Sequence, residues 1–390
     1  MVQRSGRAPR RGARTRGLAA LGVGFAAGLL AGLALAGSAL PKEQPQWSDA
    51  ATLDGPRTYA QAALVANGRI LIEGGLDRDA AGVVRTRSEL FDPRTGRATP
   101  LDTPDGGRLW QSLTVLPNDL VISVGGVSRG QNGGWTTQAV ATAFDPWSPG
   151  YVRISQPVNA RSDHGATVLH DGRLLVVGGH DGPRFIRAVE VYDPRSDRWS
   201  LVAPLPRGRS QFAIATLPDG RVLVAGGFDE PGLPTDTSFL FDPTQNVWRA
   251  GPRLIVARAL GSAVQLPNGD VLLAGGQRAA AGTAERYDAR AGIFVFAGSL
   301  VAPRMYAQAA LQEDGSVVLV GGFLRPDSGD GFVPTALAER WDPRTATWSA
   351  GPPARAGRAA GSAITAAGGI WLIGGSTLDD RALGTIELLR

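Results

Sequence analysis

The sequence predicts an all-β fold made of seven copies of one four-stranded antiparallel unit, and three observations carry that prediction. A Gly-Gly pair beginning at Gly74, Gly125, Gly178, Gly226, Gly275, Gly321 and Gly374 recurs at intervals of about fifty residues. Such a period marks a propeller or an array of small sheets. An arginine stands 17 residues before six of these pairs (Arg57, Arg108, Arg161, Arg209, Arg258, Arg304) and 16 before the seventh (Arg358). The 53 glycines and 27 prolines supply many turns, and no long amphipathic helical pattern follows residue 46.

Each unit resolves into strands a, b, c and d. The stretch "DHGATVLHDGRLLVVGGHDG", residues 163 to 182, shows how the unit opens. It reads as apolar run, Asp-Gly turn, apolar run, Gly-Gly, which is the pattern of a tight hairpin. The near-constant distance from arginine to Gly-Gly gives that a–b hairpin one length throughout. Beyond a segment of variable length comes an aromatic residue, usually followed by Asp-Pro: Phe91, Phe144, Tyr192, Phe241, Tyr287 and Trp341. Seven residues later stands Ala98, Tyr151, Trp199, Trp248, Phe294 or Trp348, and ten after that the next arginine. All length variation therefore falls in the b–c loop. The seventh unit ends at Ile386 to Arg390 without a strand d, but Trp47 lies ten residues before Arg57, at the offset of the other strand-d aromatics. The N-terminal segment is thus expected to complete the last unit and close a ring, which removes exposed sheet edges.

These residues resemble kelch repeats, whose pattern is an arginine opening strand a, Gly-Gly closing strand b, aromatic-Asp-Pro after strand c and a tryptophan on strand d. The resemblance covers residues 46 to 390 and implies a seven-bladed β-propeller. Departures are local: Ala98 replaces a strand-d aromatic and Ala289 replaces a proline.

Ahead of the repeats, residues 1–16 hold six arginines and no acid, and Leu18 to Leu40 is an uncharged, mainly apolar run ended by Pro41. A helix of that length reaches roughly 35 Å, enough to span a bilayer core. The expected organisation is a basic cytoplasmic tail (1–16), a transmembrane anchor or signal sequence (17–40), a linker (41–45) and the repeat domain (46–390), exported by the positive-inside rule. The length of the apolar run favours a retained anchor over a cleaved signal, for which Gly37-Ser38-Ala39 or Ala34-Leu35-Ala36 would serve. Gly24, Gly28 and Gly32 form small-xxx-small steps that would let two such helices pair weakly, against the plainer reading of Gly/Ala filler. Setting aside the six N-terminal arginines leaves 34 basic against 35 acidic residues, so the repeats offer no basic field for nucleic acid. No cysteine is present, and disulfides are excluded.

The candidate ligand site follows from the topology. Strand b ends and strand a begins on one rim, which the b–c and d–a loops share, and loops over a rigid scaffold commonly carry function. The kelch resemblance implies that residues just after the repeat arginine line the mouth of a central channel: Tyr59, Trp110, Asp163, His164, Gln211, Phe212 and Tyr306, with Leu260 and Ala360 the less promising members. Aromatics with a few polar groups around a concavity suit sugar rings or an extended peptide; the plainer reading is that they plug the channel. The longest b–c loops add Trp135 in the second repeat and Arg325, Asp327, Asp330 and Phe332 in the sixth. "DSGDG" in that loop lacks the ligand pattern of a calcium loop. The seven arginines invite an anion-binding reading, but Glu89, Glu190, Glu285, Glu339 and Glu387 recur two residues before the strand-c aromatic position. Repeated Arg and Glu are expected to form structural ion pairs, since buried charges need partners.

The expected function is an extracytoplasmic module binding a protein or a carbohydrate, with a carbohydrate-active enzyme resembling kelch-type sialic acid mutarotases as the alternative. The galactose oxidase propeller is also similar, but its copper chemistry uses a cysteine-crosslinked tyrosine, and this chain offers no cysteine. No phosphate loop, HExxH helix or nucleophile elbow stands in its required context, and no cofactor is expected. The three histidines, His164, His170 and His180, fall in one hairpin with Asp163, Asp171 and Asp181. Ten strand residues span roughly 30 Å, so His170 and His180 share no metal; only His164, His180 and an aspartate would reach a two-histidine, one-carboxylate arrangement. No metal is expected there, since "HDG" after Gly-Gly reads as an ordinary polar loop.

Overall fold

The computed structural model describes residues 45–77, 83–130, 133–230, 232–325 and 331–390. The basic tail, the apolar run expected as an anchor with Gly24, Gly28 and Gly32, and Asp327 and Asp330 lie outside the described residues.

Within residues 45–390 the chain forms seven four-stranded antiparallel sheets, each in the order a-b-c-d. In the first, a is Gln61–Leu64, b Ile70–Glu73, c Arg87–Asp92 and d Arg97–Asp102. In the third they are Gly165–Val168, Leu174–Val177, Val189–Asp193 and Arg198–Val202. The last sheet has Ser362–Ala366, Gly369–Ile373 and Thr385–Leu389, and its fourth place is filled by Trp47–Thr52. Trp47 pairs with Leu389 and Thr52 with Thr385, and the Trp47 indole N–H donates to the carbonyl of Pro352 at 2.9 Å. Strand a of each sheet abuts strand a of the next, and that of the last abuts that of the first. The succession closes.

Strand b is buried along its whole length in every sheet, in runs such as LLVV (Leu174–Val177) and VVLV (Val317–Val320). Apolar residues at consecutive positions, rather than alternate ones, are what a strand covered on both faces requires. The cores accordingly lie between sheets: Leu175, Val177 and Val191 of the third pack with Val222, Val224 and Phe241 of the fourth. Phe91 of the first meets Trp371 of the last edge to face at 5.0 Å.

The repeat arginine ties each unit together. In all seven, its Nη1 donates to the carbonyl of the first glycine of its own Gly-Gly pair, at 2.9 to 3.2 Å. Five pair with the expected glutamate: Arg57 with Glu89 at 2.5 Å, Arg161 with Glu190 at 2.6 Å, Arg258 with Glu285 at 2.7 Å, and Arg304 and Arg358 with Glu339 and Glu387. The same carboxylate accepts the backbone N–H three residues before the arginine, from Asp54, Val158, Ile255, Val301 and Arg355. One glutamate thus holds both the guanidinium and the chain arriving from the previous sheet. Removing one member of such a buried pair strands the other charge, at a cost of about 3–5 kcal/mol. Two units differ. Arg108 bonds Ser123 and Thr142, with Glu73 at 3.5 Å. Arg209 bonds Thr237 and lies 4.5 Å over the Phe239 ring; burial lowers its pKa to about 10.

The arginine backbone joins neighbouring units. The second glycine of each pair donates its N–H to the next arginine's carbonyl, from Gly75 to Arg108 at 3.2 Å round to Gly375 to Arg57 at 3.0 Å. A Cβ on Gly178 would stand 2.7 Å from the carbonyl oxygen of Arg209, and Gly178 itself has φ +59°. Close approach and left-handed backbone together require glycine.

Two features depart from the sequence reading. Strand a begins about four residues after the arginine, whose own neighbourhood pairs with the segment following Gly-Gly, as in the Thr58–Leu76 bridge. The b–c segments are not plain loops: they carry short ribbons such as Val127–Arg129 with Trp135–Thr137 and His180–Asp181 with Arg184–Phe185. Arg304–Met305, Phe323–Leu324 and Val333–Pro334 form a three-stranded one.

Deleting residues 43–52 is expected to expose the apolar edge Ile386 to Leu389, giving aggregation by light scattering and a large drop in melting temperature. A deletion variant as stable as its parent would show that the closing strand is dispensable.

Candidate site at the mouth of the central channel

Two residues after each repeat arginine stands a non-glycine residue in the left-handed region: Tyr59, Trp110, Asp163, Gln211, Leu260, Tyr306 and Ala360, with φ between 50° and 60°. That conformation costs about 1–2 kcal/mol for an L-residue, and its return in seven units marks an imposed geometry. Hydrogen bonds supply part of the imposition. Tyr59 N–H donates to Ala360 O at 2.7 Å, Tyr306 to Leu260 O at 3.0 Å, Gln211 to Asp163 O at 3.0 Å and Asp163 to Trp110 O at 3.1 Å. The chain bends sharply at this position in every unit.

All seven residues, with His164 and Phe212, line one cavity of about 560 Å3, within the roughly 300–1,000 Å3 usual for small-molecule sites. Trp135 and Arg325 do not. Trp135 is half exposed on its ribbon, while Arg325 borders a separate pocket of about 520 Å3 with Met305, Phe323 and Phe332.

The cavity has aromatic and polar components. Tyr59 meets Trp110 edge to face, centroids 5.7 Å apart at 71°, and Tyr306 at 6.4 Å and 77°. Asp163 accepts from His180 Nε2 at 2.9 Å on one oxygen and from Gln211 Nε2 at 3.0 Å on the other. Burial, followed by the charge of Asp163, raises the pKa of the Tyr306 phenol. His164 Nε2 lies 2.8 Å from Ser112 Oγ. Burial, then Arg161 and Arg108, pushes its pKa well below the ordinary range, so the ring is neutral. The two histidines therefore serve different hydrogen bonds, and no group of three or more metal-ligating residues occurs among the described residues.

Sequence reasoning missed the deeper polar residues, Gln61, Ser112, Ser262, Gln308 and Ser362, which also line the cavity. Each stands four residues after its arginine, so carrying the same spacing further along strand a would have found them. Ser262 and Ser362 donate to the carbonyls of Ala307 and Ala60 in the adjoining unit, at 2.7 and 2.8 Å.

A family profile described as the kelch motif matches residues 160–206, a span running from just before Arg161 to beyond strand d of the third unit. Two solved structures are similar at fold level. YjhT matches over 86% of this chain and 96% of its own, at 17% identity and TM-score 0.55. A fungal alcohol oxidase of the AA5 family, in complex with copper, matches over 88% and 76%, at 18% identity and TM-score 0.69. The fold is a kelch-type β-propeller. Among curated proteins none matches the sequence, and structural likeness at such identity shows the propeller alone.

The hydrogen bond to Asp163 is the leading cause that raises the pKa of His180 above its ordinary value. A raised folded pKa contributes stability that is fully present below about 6.5, the unfolded value, and is lost as pH rises through the folded one. The melting-temperature difference between wild type and His180→Gln is therefore expected to be largest in mild acid and to shrink as pH rises. His164 acts alike in both proteins and cancels. A difference independent of pH would remove the charged pair from the account.

Proposed function

We propose that the chain is an exported binding module: a seven-bladed kelch propeller, tethered to the membrane through residues 17–40, that receives a carbohydrate or a segment of a partner protein at the channel mouth. One observation carries the reading. The residues two positions after all seven arginines, from separate sheets, converge on one cavity that combines Tyr59, Trp110 and Tyr306 with Asp163 and Gln211. Concave sites with aromatic walls and a few placed polar groups are the usual form of ligand pockets. The near-neutral balance of the repeats argues against nucleic acid as the partner. The run Leu18 to Leu40, preceded by six arginines, supports an inner-membrane anchor with the propeller outside the cytoplasm, and Gly24, Gly28 and Gly32 would allow weak pairing of two anchors.

A second reading, a sugar-active enzyme of the mutarotase kind, is favoured by Asp163 and His180. A carboxylate bonded to an imidazole is equipped to move protons, and Asp163 lines the cavity.

Full-length protein would be screened by glycan array and by pull-down from an extracytoplasmic extract, and its strongest ligand titrated against Trp110→Ala. Alanine already occupies this left-handed position at Ala360, so the variant should fold. Loss of about tenfold or more in affinity is expected of a central aromatic anchor; unchanged affinity would move the site elsewhere. Turnover of a bound sugar would select the enzyme reading.

Localisation has its own check. A reporter active only outside the cytoplasm, fused after Arg390, is expected to work, whereas activity confined to a cytoplasmic reporter would refute export.

A further inference from the structure

The electrostatics of the mouth have one sign. Asp163 is the only acid among the described lining residues, and no arginine or lysine joins it. His164 is neutral for the reasons given above. Arg161 and Arg108, whose charges reach His164, are buried and turned to other partners, Glu190 for the first and Ser123 and Thr142 for the second. A carboxylate or phosphate entering here would meet Asp163, whose one cationic partner, His180 when protonated, is not among the lining residues.

The rings point to the opposite kind of ligand. An aromatic face is electron-rich and attracts a cation lying within about 6 Å of its centroid. Tyr59 stands between Trp110 and Tyr306 and is steeply inclined to both, at 71° and 77°. All three residues line one cavity with Asp163, so a compact cation seated there has more than one ring within reach. Asp163 belongs to the same group, because it lines the same cavity and its charge acts on the Tyr306 hydroxyl. Its two oxygens are held by His180 and Gln211, so the counter-charge is oriented in advance.

Resting on the reading of this cavity as the ligand site, we infer that the group it receives is a compact organic cation of the alkylammonium class, seated against Tyr59, Trp110 and Tyr306 with Asp163 as counter-ion. The cation is either a free small molecule or the charged tip of a larger ligand, such as an amino sugar or a lysine side chain; the chemistry recognised is the same.

The test compares choline with 3,3-dimethylbutan-1-ol, which has the same shape and no charge, by isothermal titration of the detergent-solubilised full-length protein at about pH 9, above the ordinary imidazole range. Choline is expected to bind about tenfold or more tightly than the alcohol. Asp163→Asn should abolish that preference; asparagine tolerates the left-handed backbone at this position. Tyr59→Leu should weaken choline several-fold, and leucine is native to the equivalent position at Leu260. Equal affinity for the two probes, or choline binding indifferent to both substitutions, overturns the inference. If choline fails while a glycan or protein still depends on Trp110, the cation falls and the mouth stands as a site. If no ligand depends on Trp110, both fall together.

Discussion

The buried arginine at the head of each repeat is the constraint from which the rest of the fold follows. Its guanidinium holds the end of strand b through the glycine carbonyl, in five units its glutamate partner holds strand c and the incoming connection, and its own carbonyl receives the N–H of the preceding unit's second glycine. A buried cation with several directional partners fixes the angle between elements more sharply than apolar packing, which tolerates sliding. The Gly-Gly pair is the backbone's accommodation to that node, since no side chain fits where the carbonyl approaches.

The same node sets the functional face. Immediately after it the chain turns through the left-handed region in every unit, which brings seven side chains from seven sheets to one place. Residue identity at this position differs from unit to unit. Tyr59, Trp110 and Tyr306 are aromatic, Asp163 and Gln211 polar, and Leu260 and Ala360 bland. A scaffold with sevenfold repetition thus carries a site with none.

Much of this was legible in the sequence because repetition amplifies weak signals. One Arg, Gly-Gly or aromatic means little, but seven in phase fix strand order, the closing role of Trp47 and the pairing of Arg with Glu. The gathering of Tyr59, Asp163 and Tyr306 was readable only through the resemblance to a known repeat. Part of what escaped did share a spacing, the polar residues four positions after the arginine; the rest left no mark in residue type. The two-residue ribbons of the b–c segments are too short for a period of two to show. Left-handed backbone at Tyr59 or Trp110 is invisible because neither residue favours it, and the cause lies in contacts between units. The bond between Asp163 and His180 crosses from one rim segment to another, and no spacing in the sequence paired the two. Thr142 and Phe239, standing where the other units place glutamate, were absent from the pattern, yet their arginines are just as buried.

Pairing of Trp47 with Leu389 gives the molecule a temporal property. The first of the described strands has no partner until the last is finished, so during synthesis the ring stays open between its first and last units. Contacts spanning nearly the whole chain are the slowest to form, because the loop they close must lose its freedom before any contact rewards it. Until then the edge left by Thr385–Leu389 and the strand meant to cover it are both adhesive. The chain's susceptibility to misassembly is therefore concentrated in the final moments of its biogenesis, when its two ends have still to meet.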